Sequence, residues 1–264
     1  AAGFHNGADS VISRWAGDKA FNMRRNPPRE LTDALQKAGI KIHFAGHLHQ
    51  NNTAVTDNGQ GHVMYNIQVP SVSAYMPAYK ILTVCGDSLC RVQTVVLDSV
   101  PKFRCLLPRY MSEYRHNLTA GTDTWNTDIL YCGDYPSFCD MHFRALVASR
   151  YVEHELPSVV CDSIVGMSGS QIIDMTGVKE DPKQSAAWTG FDLVTDLYRL
   201  HFAGSLALRQ IPQWRIRQYE AVLDSLEGKK TEDNKVLDSL KNICLLIKYF
   251  STGAPDNSFD IRLK

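Results

Sequence analysis

The sequence predicts an α+β chain in two parts, on three observations. Between residues 42 and 97, short runs rich in β-branched residues alternate with Gly, Asn and Asp turn signals. One well-punctuated helical pattern stands directly before them. Beyond about residue 105 the texture shifts to long stretches of helical periodicity. Residues 1–105 therefore read as the closing half of a layered α/β or α+β domain, and residues 106–264 as a mainly helical accessory region.

Taken in order, residues 1–25 read as a loop with one short helix near Val11 to Trp15. "NPPRELTDALQKAG" is a helix: Pro27 and Pro28 suit its first turn and Glu30 complements the positive end of its dipole. Leu31, Ala34, Leu35 and Ala38 form one apolar stripe, expected to face the core, and Gly39 stops the helix. "IKIHFAG" is the strand that follows. "NTAVT", "HVMYNIQV", "YKILTVCG" and "LCRVQTVVL" read as four more, divided by "DNGQG" and "GDS" turns. "FRCLLPRYMSEYRHNLTAGTDTWNTDILYCGDYP" reads as loop-rich and aromatic. Helical stretches then begin at "SFCDMHF", "PKQSAAW", "PQWRIRQ" and "EDNKVLD", the last with Leu237, Leu240, Cys244 and Ile247 on one face.

Composition narrows the function classes. Lys+Arg and Asp+Glu both number 28, so the net charge is zero and gives no electrostatic footprint for nucleic acid or a membrane surface. No apolar run reaches the roughly 20 residues of a transmembrane helix. The seven cysteines show no zinc-finger spacing. Cys85 and Cys90 bracket a hairpin turn, where a disulfide is one reading and two reduced thiols the simpler one. The chain opens "AAGFHNG", without an initiator Met or a signal peptide, and is expected to be the later portion of a longer polypeptide.

The chemistry concentrates in "HFAGHLHQNN", residues 43–52. Two imidazoles at i and i+2 share a direction only if the strand has ended and the chain turns between them. Gly46 would permit that turn and a close approach of backbone to an ion. A loop leaving the carboxyl end of a strand is where α/β folds place their sites. Neutral imidazoles suit Zn, Fe, Mn or Ni. A bare His-x-His is also compatible with an incidental polar loop.

Gly46-His47-Leu48-His49 behind an apolar strand, followed by Gln50-Asn51, resembles the closing motif of the calcineurin-like metallophosphoesterases. The flanks agree: "PPRELTDALQKAGIK" stands where that family has a helix, and "YNIQVPSVSAYMPAYKILTV" resembles its strand, Pro-Ser turn and Tyr-led returning strand. The resemblance covers residues 1 to about 100. It implies the C-terminal half of a four-layer α/β/β/α sandwich. It also implies metal-dependent phosphoester hydrolysis at a dinuclear centre of two divalent or trivalent ions (Mn, Fe, Zn or Ni) acting on a phosphorylated substrate. By the same resemblance His47 would ligate the second metal and His49 the first. His5, in "GFHNG", is the candidate for the family's isolated upstream histidine.

The departures are as informative. The family's DxH, GDxxD and GNH motifs, which supply the bridging aspartate and the leaving-group acid, do not precede His5. "GDKAF" at Gly17 and "GDSLC" at Gly86 lack the second aspartate. Asp140-Met141-His142 matches DxH but lies in a helical stretch far downstream and reads as coincidence. The expectation is a half-site, inactive alone, whose catalytic residues belong to a missing N-terminal half, with that half or a second copy as partner. The alternative is a non-catalytic interaction or scaffold module that kept the strand-loop and works through its helical region. His43 is expected to face a helix from its strand and His62 to be at the surface. His116, His142, His154 and His201 are expected to be structural or solvent-facing. The aromatic residues of 109–138 read as packing, or as a cap on the histidine cleft.

Overall fold

The computed structural model describes residues 7–25, 28–59, 61–179, 181–252 and 256–263. Helix α1 (Ala8–Trp15) leads through a 3-10 turn (Ala20–Arg25) to α2 (Arg29–Lys37), then β1 (Ile42–Ala45), β2 (Asn52–Asp57), β3 (Val63–Gln68), β4 (Ala78–Val84) and β5 (Leu89–Val96). Then come α3 (Leu107–Ala120) and α4 (Tyr135–Leu146), which runs through a π-helical turn (Val147–Tyr151) into α5 (Val152–His154). The chain continues with α6 (Gly169–Thr176), α7 (Pro182–Ser185), α8 (Gly190–Ala203), α9 (Gln213–Leu226), α10 (Lys235–Ser251) and β6 (Ser258–Arg262). The class is mixed α+β, with two small sheets.

One sheet has the order β1-β3-β2, with β1 parallel and β2 antiparallel to β3; the other is the antiparallel β4-β5-β6. They meet through a small apolar cluster, in which Ile67 of the first sheet packs with Cys90, Val92 and Ile261 of the second. Tyr65 stacks on Phe259 across the same junction.

The main core is elsewhere. Val11, Ile12 and Phe21 from the chain's beginning join Tyr75, Met76 and the apolar faces of α4, α6, α8, α9 and α10 in one cluster. Helix α8 is its axis, buried from Leu193 to Ala203 without a break. Burying one such Leu or Val contributes roughly 1.5–3 kcal/mol relative to exposure, so α8 anchors what packs on it. Its N-terminus carries a capping box, in which Thr189 and Asp192 satisfy each other's backbone N–H groups. Gly190 follows because a Cβ there would lie 1.7 Å from the Ile164 carbonyl oxygen.

Two sequence expectations need correction, the facing of α2 and the loop-rich stretch after residue 103. Helix α2 forms where expected but is turned over: Thr32 and Gln36 are buried, while Leu31 is 50% exposed and Ala34 and Ala38 are also exposed. The cause is polar. Gln36 Nε2 donates to the Thr56 and His62 carbonyls, at 3.0 and 2.8 Å, at the far end of the β2–β3 hairpin. Leu31, Ala34 and Ala38 of the apolar stripe face outward, Leu35 is half-buried, and Ile40 and Phe44 are exposed as well. The stretch expected to be loop-rich holds the 14-residue α3, with Pro in its first turn and Gly121 closing it at φ 66°. His43 is tied within its sheet: its Nδ1 lies 2.6 Å from Oδ1 of Asn66, its partner across β1–β3. Strand β6, within the region expected to be mainly helical, pairs with β5. All seven cysteines are free; Cys85 is exposed and Cys90, opposite Val84 in the ladder, is buried.

Candidate functional site

The histidine loop leaves the carboxyl end of β1, as expected. The turn is not made by Gly46, where an added Cβ would meet nothing within 4 Å. It is made by His49, whose φ is +56°, in the left-handed region that an L-residue enters at a cost of roughly 1–2 kcal/mol. That conformation brings His47 and His49 to the wall of one cleft of about 320 Å3.

The other polar groups on that wall come from distant parts of the chain: Arg25, Arg150, Glu155 and Tyr75. Phe143 and Leu146 of α4 and Phe202 of α8 give it an apolar side. Arg25 Nη1 lies 2.5 Å from His47 Nε2. A guanidinium only donates, so Nε2 accepts and the ring proton sits on Nδ1. Glu155 Oε2 accepts from the Phe21 backbone N–H at 3.1 Å and the Tyr198 hydroxyl at 3.3 Å. Burial raises the pKa of its carboxyl, which those two hydrogen bonds and Arg150 partly offset. Two guanidiniums and two imidazoles against one such carboxyl make a cleft suited to an oxyanion. Tyr75 is buried, and its hydroxyl has no hydrogen-bond partner among the described residues.

The two residues after the histidines hold the loop to the helical core. Gln50 Nε2 donates to His201 Nε2 at 2.7 Å, both side chains buried. Asn51 donates its backbone N–H to the Phe202 carbonyl at 2.7 Å and its side-chain amide to Ala203 and Asn257. Its Oδ1 accepts from Lys80 Nζ at 2.7 Å, and that ammonium also donates to Thr94 and to the Asp256 carbonyl. Burial lowers the Lys80 pKa to about 8 and raises that of Asp256 to about 6. The loop is thus fixed by contacts to α8, β4, β5 and the segment entering β6.

A dinuclear metal centre needs more ligands than these residues supply. His47 and His49 share the cleft, but no group of three His, Cys, Asp or Glu among the described residues could hold a metal ion. The one carboxylate on the wall, Glu155, is committed to Phe21 and Tyr198. A guanidinium against Nε2 also opposes a cation at that nitrogen. The described residues on their own therefore do not fit the metal pair. His5 lies outside the described residues. Asp140 accepts from Arg199 Nε and Nη2 at 2.8 and 2.5 Å, a structural ion pair, and His142 lines a different cleft.

Sequence reading missed Arg25, Arg150, Glu155 and Tyr75, which no local spacing ties to residue 47. The aromatic residues of 109–138 do not line the histidine cleft; Tyr110, Trp125 and Phe138 among them wall a separate one on another face of α4. No protein-family model and no curated protein matches the chain. No helix among the described residues is long and apolar enough to cross a membrane.

Proposed function

We propose that this chain supplies the histidine loop and the phosphate-facing wall of a calcineurin-like metallophosphoesterase site. The observation that supports the reading most is the convergence of His47, His49, Arg25 and Arg150 on one cleft. Guanidiniums match the oxygens of a phosphoryl group in charge and geometry. The imidazoles stand at the strand end where the family resemblance puts metal ligands. The acidic ligands of a dinuclear centre would have to come from polypeptide beyond the described residues. The outward apolar stripe of α2, with Ile40 and Phe44, is a surface that such polypeptide would cover. The substrate class is a phosphoester, and the four-layer sandwich is the fold this reading implies for the completed domain.

Arg25 against His47 supports a second reading, a phosphate-binding module without hydrolysis that works through its helical region. Both readings need the cleft to take phosphate. The test is calorimetric titration of the protein with inorganic phosphate and with phenyl phosphate, beside Arg25→Gln and Arg150→Gln. We expect binding that weakens at least tenfold in each variant. No binding, or binding indifferent to both substitutions, contradicts the two readings together.

A further inference from the structure

We infer that the cleft between α3 and α4 is a binding site for a small organic cation with an apolar tail. The cleft measures about 670 Å3, twice the histidine cleft, and is reached from another face of α4. Tyr110 of α3, Trp125, Phe138, Met141 and Phe191 make its walls. Aromatic and thioether walls of this kind hold an apolar body.

The charges select the head group. Three titratable side chains other than tyrosine line the cleft: Glu113, His142 and Arg144. Arg144 is already matched, by Asp192 at 3.0 Å, and its guanidinium lies over the Phe191 ring. His142 packs edge-on against Phe138, and burial holds its pKa below the ordinary histidine value, so it adds no positive charge near neutral pH. Glu113 has no hydrogen-bond or ion-pair partner among the described residues. It stands one turn beyond Tyr110 on the same face of α3, and the neighbouring Tyr114 ring meets Trp125 edge-to-face at 5.6 Å. An unmatched carboxylate among electron-rich rings is what a quaternary or primary ammonium recognises.

Helix α3 gives an independent reason to expect an occupant. Its 14 residues include none that is buried. The half-buried ones, Leu107, Tyr110, Met111, Tyr114 and Asn117, form a single i, i+3, i+4, i+7, i+10 stripe. A helix of that length gains most of its stability from packing such a stripe. A ligand in the cleft would bury the Tyr110 side of it.

The test is calorimetric titration with octyltrimethylammonium below its micelle concentration, beside octyl sulfate and octyl glucoside. We expect the cation to bind at least tenfold more tightly than either. Glu113→Gln, an exposed position whose change leaves the fold intact, should remove that preference. Ala145→Trp, which fills the cleft, should abolish binding with an unchanged circular dichroism spectrum. Equal affinity for the three amphiphiles, or a preference that survives Glu113→Gln, overturns the proposal. So does sedimentation showing a dimer that Ala145→Trp breaks while the cation fails to bind, which would assign the face to a second copy.

Discussion

Gln50 and His201 are hydrogen-bonded at 2.7 Å, amide to imidazole, inside the protein. One residue follows the histidine motif directly and the other sits near the end of α8, so this buried contact is one of those that tie the loop to the helical core. Its direction matters: His201 Nε2 accepts, and a proton placed there would face the Gln50 amide.

That contact predicts an acid response. Burial lowers the His201 pKa from 6.5 to about 3. Between those values the unfolded chain binds the extra proton, so this contribution is complete above pH 6.5 and is lost as pH falls towards 3. The slope is up to ~1.4 kcal/mol per pH unit. Asp256, raised to about 6, acts in the opposite sense from pH 3.8 to 6, because the folded state holds its proton. The measurement is therefore a difference: urea unfolding of wild type and His201→Gln at pH 7, 6, 5 and 4. The gap between the two curves should narrow steadily with acid. A constant gap would show that His201 does not carry the effect.

The overturned helix makes a second prediction. Gln36→Ala leaves the Thr56 and His62 carbonyls without their donor and should cost about 2 kcal/mol. Leu31→Ser, on the apolar but exposed stripe, should stay within about 0.5 kcal/mol. Chemical denaturation of the two variants checks this. The opposite ranking would restore the inward-facing stripe that the sequence suggests.

How much was legible follows from the range of each interaction. Strands β1 to β5 and helices α8 to α10 were readable because turn residues and apolar periodicity are local. The orientation of α2 was not, because Gln36 answers to carbonyls at residues 56 and 62. Helix α3 was missed because its stripe is of Tyr and Met and its turns carry Arg, Ser and His. Strand β6 was missed because its partner β5 is distant in sequence. At the site, His47 and His49 announce themselves by spacing. Arg25 and Arg150 come from a 3-10 turn and a π-helical turn that no motif marks.

The buried ion cluster around Asp196 gives a third prediction. Its carboxylate accepts from Arg199 at 2.8 Å, Arg215 Nη2 at 3.1 Å and the Tyr219 hydroxyl at 3.0 Å. Arg215 Nε also lies 2.8 Å from Oδ2, close enough for an ion pair although not aligned as a hydrogen bond. Asp196→Ala leaves the Arg215 guanidinium without its anion and Arg199 with Asp140 alone, and should cost about 3–5 kcal/mol. Urea denaturation checks it. A loss under 1 kcal/mol would mean that solvent reaches the cluster.

Arg25 is predicted to restrain metal binding. Removing it in Arg25→Ala frees His47 Nε2 and should tighten Co2+ binding several-fold while weakening phosphate binding. Titration followed by visible absorption separates the two effects. Unchanged Co2+ affinity would mean that the guanidinium moves aside without cost.

His47 and His49 are proposed to form half of a metal site that other polypeptide completes. The most direct test is the metal content of the purified protein after equilibration with excess Zn2+ or Mn2+, beside His47→Ala and His49→Ala. About one weakly held ion per chain, lost in both variants, is the expected result. No ion in the wild type, or an ion that either variant retains, would contradict it.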